Sequence, residues 1–135
     1  MTDKNPAKET CIALPQPAYN YLKQIANRDL TNIQNTTNKI HNCFQKLSKT
    51  KLTQDQFNNQ VENLLKETYN HIQDLSYINT AFPTLFTDDQ ATILNDLIRL
   101  TVDLNLATPN PASFTEYENG QIGGAATILQ QQWAA

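Results

Sequence analysis

Two histidines (His41 and His71) and two cysteines (Cys11 and Cys43) are the side chains of this 135-residue sequence best suited to metal binding or nucleophilic catalysis. Because two residues along a helix step about 200° around its axis, His41 and Cys43 point to opposite sides. Cys43 is therefore predicted to pack on a helix flank and not to act as an activated nucleophile. Neither a G-x-S-x-G motif nor a phosphate-binding glycine loop occurs. We expect no catalytic residues and a protein that is not an enzyme.

The strongest metal-ligating pattern places Glu67, His71 and Asp74 at i, i+4 and i+7 on one flank of a predicted helix. Three such ligands could hold a zinc ion, but an ordinary Glu67–His71 pair on a solvated flank explains the same spacing. His41 cannot join them, because helices that pair around a turn near residue 50 separate the two histidines by roughly 16 Å. The Glu-x-x-His pairs of di-iron bundles are not present. We therefore predict no metal site and no other cofactor.

The elements that carry these residues are predicted to be helices. All three glycines fall between Gly120 and Gly124, so the preceding sequence lacks the usual turn signals of β-hairpins. Apolar residues recur with helical spacing over about 18–48, 54–79 and 88–106. The second and third of these helices open with capping boxes at Thr53 and Thr87, each with a glutamine three residues later.

We expect an all-α fold, an antiparallel three-helix bundle. The short connection between the first two helices favours an αα-hairpin. The predicted organisation is an irregular N-terminal arm over 1–17, a helical bundle over 18–106, and a loop over 107–135. This last segment allows a short fourth helix from Gly124 to Trp133.

The charge of the chain is unevenly distributed around a net value of −3. Residues 20–52 carry six basic side chains and one acidic one, whereas residues 53–135 carry two basic and ten acidic ones. Arg28, Lys39 and Lys46 share the outer face of the first helix, which suggests a nucleic-acid-associated regulator as an alternative function. A solvated helix face is the simpler interpretation, because the chain as a whole is acidic. Nucleic acid is therefore the weaker of the candidate partners.

The third helix is apolar over more than half of its circumference, so it should pack on two sides. One stripe, around Leu94 and Ile98, is assigned to the bundle core. A second stripe can be covered by the N-terminal arm, by the C-terminal segment or by a partner. With one residue of that segment, it forms the predicted partner-binding set: Ile93, Leu97, Leu100, Leu104 and Trp133.

These observations predict a non-enzymatic protein–protein interaction module: an adaptor, a secretion-associated or effector-like factor, or an inhibitor. Its partner would be another protein or a second copy of the chain, as a homodimer. No small-molecule substrate is indicated. The sequence contains neither a long apolar run nor a signal-peptide core, so we expect no transmembrane segment and a cytoplasmic location, although export by a leaderless route would leave the same pattern.

Overall fold

A computed structural model describes residues 14–134 of the chain, and this range is all-helical, without a β-strand. Most of the predicted N-terminal arm, residues 1–13, lies outside the described residues. Helix α1 spans Gln16–Ser48, α2 spans Gln54–Ala81, α3 spans Asp88–Asp103 and α4 spans Glu116–Ala134, with a short 3₁₀ turn at Pro111–Ser113. Among these helices none combines the length and the apolarity needed to cross a lipid bilayer.

Capping boxes start three of the four helices. At α2 the Gln56 backbone N–H donates to Thr53 Oγ1 (3.2 Å), and the Thr53 N–H donates to Gln56 Oε1 (3.0 Å). Thr87 makes the same pair of bonds with the residue three positions on, which starts α3. Both were predicted, and both are confirmed. The third box, at Thr115 and Glu118, starts α4 and was not predicted.

Helices α1 and α2 form an antiparallel hairpin. Phe44 packs against Phe57 near the turn, with 4.9 Å between ring centroids. Further along, the Thr36 and Thr68 hydroxyls lie 2.6 Å apart, and residue 29 then meets residue 71. In these contacting pairs the residue number rises along α2 as it falls along α1, which is the pattern of antiparallel helices. The hairpin expected from the short connection is therefore present.

Schellman motifs end α1 and α3. After α1, the Lys51 N–H bonds to the Lys46 carbonyl (2.7 Å), and Thr50 takes the left-handed conformation with φ 55°. After α3, the Leu106 N–H bonds in the same way to the carbonyl of the residue five positions earlier (2.9 Å), and Asn105 has φ 54°. Helix α3 therefore ends at Asp103, earlier than predicted, because Asn105 turns the chain and directs Leu106 into the core.

The fourth helix begins at Glu116 instead of Gly124, more than two turns earlier than predicted. It packs against α1 and α3 along its length. Near its start, Asn119 Nδ2 donates to the Thr37 carbonyl (2.9 Å). Near its end, Trp133 Nε1 donates to the Lys23 carbonyl (3.3 Å), and the Trp133 ring packs at a tilt of 49° against Phe86. The C-terminal segment is therefore an integral layer of the fold and not a loop with a short helix.

Candidate functional site

The structure divides the predicted partner-binding residues into buried and half-buried groups. Leu97 is fully buried and Trp133 is 8% exposed, so neither side chain reaches the surface in this conformation. Ile93, Leu100 and Leu104 are half-buried and pack against the core. Of the three coverings considered for this side of α3, the C-terminal segment is the one observed, because α4 lies against it.

A groove of about 510 Å³ remains at the surface where α3 meets α4. The α3 wall of the groove includes Leu100 and Asp103. Leu100 is the residue of the predicted partner-binding stripe that lines the groove. On the same wall Arg99 donates a hydrogen bond to Asp96. The α4 wall consists of residues at helical spacing on one face: Gln121, Gly124, Ala125 and Ile128.

The outer face of α4 continues this surface. It carries two of the most exposed large apolar side chains in the described range, Tyr117 (75% exposed) and Ile128 (49%). Gly120 and Gly124 lie between them, one helical turn apart, and both are exposed. We call the set Tyr117, Gly120, Gly124 and Ile128 the α4 face. It places a narrow strip of bare backbone between an aromatic and an aliphatic side chain.

Internal packing does not explain the two glycines of the α4 face. A Cβ atom added at Gly120 or Gly124 would meet no atom within 4 Å. The neighbouring Gly123 is different, because a Cβ there would lie 2.9 Å from Thr37 Oγ1. Gly123 is therefore required for the close approach of α4 to α1, whereas Gly120 and Gly124 leave open space at the surface.

The two histidines lie in separate environments, as predicted. His41 Nδ1 is 2.8 Å from Glu116 Oε2, which joins α1 to the first turn of α4, and both side chains are about half exposed. His71 lies instead beside Asp29, a residue of α1 that the sequence pattern did not include. Glu67, which the pattern did include, is exposed and does not belong to the group of potential ligands that Asp29, His71 and Asp74 form.

Cys43 is a packing residue, as predicted. It is 5% exposed and belongs to the hydrophobic core, where its thiol donates a weak hydrogen bond to Gln60 Oε1 (3.5 Å). Burial raises the pKa of the Cys43 thiol, and the nearby positive charge of Lys46 opposes that change only in part. The neutral thiol is therefore the favoured form at neutral pH, in contrast to the thiolate of a nucleophilic cysteine.

The basic side chains Arg28, Lys39 and Lys46 are all exposed on α1, so they are available to a charged partner. Binding of nucleic acid through this face stays a prediction, and binding that weakens steeply with salt would be its signature.

The chain matches no protein-family model, and neither the curated proteins nor the solved structures yielded a match. Arguments about function therefore rest on the geometry described above.

Proposed function

We propose that this chain is a non-enzymatic protein–protein interaction module that binds through the α4 face and the adjoining Leu100, and that its partner is a second copy of the same chain. The observation that carries the proposal is the pair of exposed glycines. We also propose that the protein works in the cytoplasm, where the Cys43 thiol would stay reduced.

Glycine is a costly residue in the middle of a helix. Each glycine destabilises an exposed helical position by roughly 1 kcal/mol relative to alanine. Gly123 has a packing reason for that cost, but Gly120 and Gly124 have none within the monomer. A surface without side chains allows a second helix to approach α4 closely, and this approach supplies a reason for both residues.

The arrangement of the α4 face is self-complementary. If two α4 helices cross antiparallel about a two-fold axis, positions whose numbers sum to about 245 face each other. Gly120 of one copy then lies near Gly124 of the other, and Tyr117 lies near Ile128. The aromatic ring and the aliphatic side chain would cover each other at both ends, roughly 16 Å apart along the helix. An isologous dimer is therefore the simplest occupant.

The charges on α4 are compatible with this pairing. Its acidic residues, Glu116 and Glu118, lie in the first turn, and the helix carries no basic residue. An antiparallel crossing places the acidic end of each helix beside the uncharged end of the other. The two helix dipoles are also antiparallel in that arrangement, which is their favourable orientation. Like charges are thus kept apart.

The size of the surface predicts a weak dimer. One face of a 19-residue helix together with the adjoining α3 wall would bury roughly 1,000 Å² in total, at the lower end for specific interfaces. We expect a dissociation constant of about 10 μM, which corresponds to about 7 kcal/mol.

Sedimentation equilibrium of matched variants tests the proposal. Tyr117→Gln should weaken self-association by about tenfold or more, because it removes an apolar end of the face. Tyr77→Gln is the control, since Tyr77 is 66% exposed on a different helix, and this variant should dimerise like the wild type. Equal dissociation constants for the two variants, or a wild type that stays monomeric at about 500 μM, would refute the α4 face as a dimer interface.

A further inference from the structure

Three potential metal ligands meet where α1 and α2 pair. Asp29 comes from α1, and His71 and Asp74 come from α2, one turn apart. One ligand atom from each residue lies within 4.8 Å of the other two. His71 Nδ1 and Asp29 Oδ1 are 3.3 Å apart.

Asp29 is the unusual member of this cluster, because the residue is 5% exposed and one of its carboxylate oxygens lacks a hydrogen-bond partner. Its Oδ2 atom is buried and makes no hydrogen bond. Burial raises the pKa of the Asp29 carboxyl, the negative charge of Asp74 raises it further, and the hydrogen bond and charge of His71 and the charge of Arg28 oppose the change. A buried carboxylate oxygen without a partner is costly in a folded protein, and a cation is one partner that satisfies it.

We propose that Asp29, His71 and Asp74 form a binding site for a divalent transition metal, with Zn²⁺ as the ion that best fits one imidazole nitrogen and two carboxylates. A tetrahedral zinc ion with bonds of about 2.0 Å places neighbouring ligand atoms roughly 3.3 Å apart. The separation of His71 Nδ1 and Asp29 Oδ1 already has that value. The third ligand, on the exposed Asp74, has room to move toward the other two.

The surroundings give the ion a route to the site. The side chain of His71 is 22% exposed, and Asp74 lies at the surface, whereas Asp29 forms the buried floor. Three protein ligands leave at least one coordination position for water on the solvent side. Magnesium and calcium prefer sets of oxygen ligands, so the imidazole favours zinc over both. Because the ligands come from two helices, the bound ion would also join α1 to α2.

The alternative role for these residues is a simple ion pair between His71 and Asp29, with Asp74 as a surface carboxylate. Zinc titration of the full chain, purified without a histidine tag, separates the two roles. Calorimetry and competition with a chelating dye measure the stoichiometry and the affinity of zinc binding. The shift in Tm is a third readout that is independent of these two methods.

Asp74→Asn is the decisive variant, because it replaces an exposed carboxylate ligand by a neutral amide of the same shape. Glu67→Gln is the matched control, since Glu67 is an exposed carboxylate one turn before His71 on the same helix. We expect one zinc ion per chain and a Tm that rises by about 9 °C at zinc concentrations 100-fold above the dissociation constant, where binding contributes about 2.7 kcal/mol. Asp74→Asn should weaken binding by at least about tenfold, whereas Glu67→Gln should leave it unchanged.

His71→Gln removes the nitrogen ligand and should abolish the preference for zinc over millimolar magnesium. Zinc that does not bind, zinc that binds without raising Tm, or equal losses in Asp74→Asn and Glu67→Gln would each overturn the proposal. The last of these results would identify adventitious binding to surface carboxylates.

Discussion

The three glycines of α4 lie within five residues, and we predict that replacing each by alanine changes the stability of the monomer. Two of the replacements should stabilise it and the third should destabilise it. Gly120→Ala and Gly124→Ala each add a methyl group in open space. Each should raise the free energy of unfolding of the monomer by roughly 1 kcal/mol, because alanine is the better helix former. The double variant should therefore unfold at a temperature about 5 to 8 °C higher than the wild type.

Gly123→Ala should act in the other direction. Its Cβ would lie 2.9 Å from Thr37 Oγ1, a contact closer than folded proteins accept. Thr37 is 4% exposed, and its hydroxyl donates to the Gln34 carbonyl, so the side chain cannot rotate away without losing that bond. Overpacking of this kind costs about 2 kcal/mol and outweighs the gain in helix propensity of about 1 kcal/mol. A net loss of about 1 kcal/mol should result.

Urea unfolding at about 1 μM protein measures these effects on the monomer, below the dissociation constant expected for the dimer. The same variants at high concentration measure the interface, where the added methyl groups of Gly120→Ala and Gly124→Ala should weaken association. If those two variants destabilise the monomer, the glycines serve its internal packing, and the reasoning that assigns the α4 face to a partner is refuted.

Two further predictions concern the ends of α1 and α3 and the core. Thr50→Gly should raise the free energy of unfolding in urea by about 1 kcal/mol, because a β-branched residue is strained at φ 55°. Asn105→Gly should raise it by only about 0.3 kcal/mol, since asparagine tolerates the left-handed conformation. Equal gains at both positions would contradict this assignment of strain. In a Cys11→Ser background, iodoacetamide should alkylate Cys43 at least about tenfold more slowly in the folded chain than in guanidinium at pH 8, because burial raises the pKa of the thiol and depletes the reactive thiolate. The folded-state rate should keep rising with pH above the usual range for a thiol, and rapid alkylation at neutral pH would show that Cys43 is accessible.

The parts of the fold that depend on local signals could be predicted from the sequence. The capping boxes at Thr53 and Thr87 fix the starts of two helices through bonds within four residues. Thr115 and Glu118 form the same motif, but the segment was predicted as a loop as far as Gly124, so the start of α4 was missed. Glycine propensity was outweighed there by packing against α1, as the contact between Gly123 and Thr37 shows.

The candidate sites depend on tertiary contacts, which the sequence gives less directly. A turn near residue 50 implies that His71 lies opposite about residue 30 of α1, one residue from the Asp29 that it contacts. The helical spacing nevertheless favoured Glu67, a neighbour along the same helix, over a ligand from the next helix. The burial of Leu97 and Trp133 likewise depends on where α4 lies, because an apolar stripe looks the same whether its cover is internal or external.

The most direct test of the proposed function is the solution mass of the wild-type chain between about 1 and 500 μM, measured by light scattering after gel filtration. The proposal predicts a mass that rises from that of one 15.3 kDa chain toward twice that value, with a midpoint near 10 μM. A mass that stays at one chain over the whole range would contradict it.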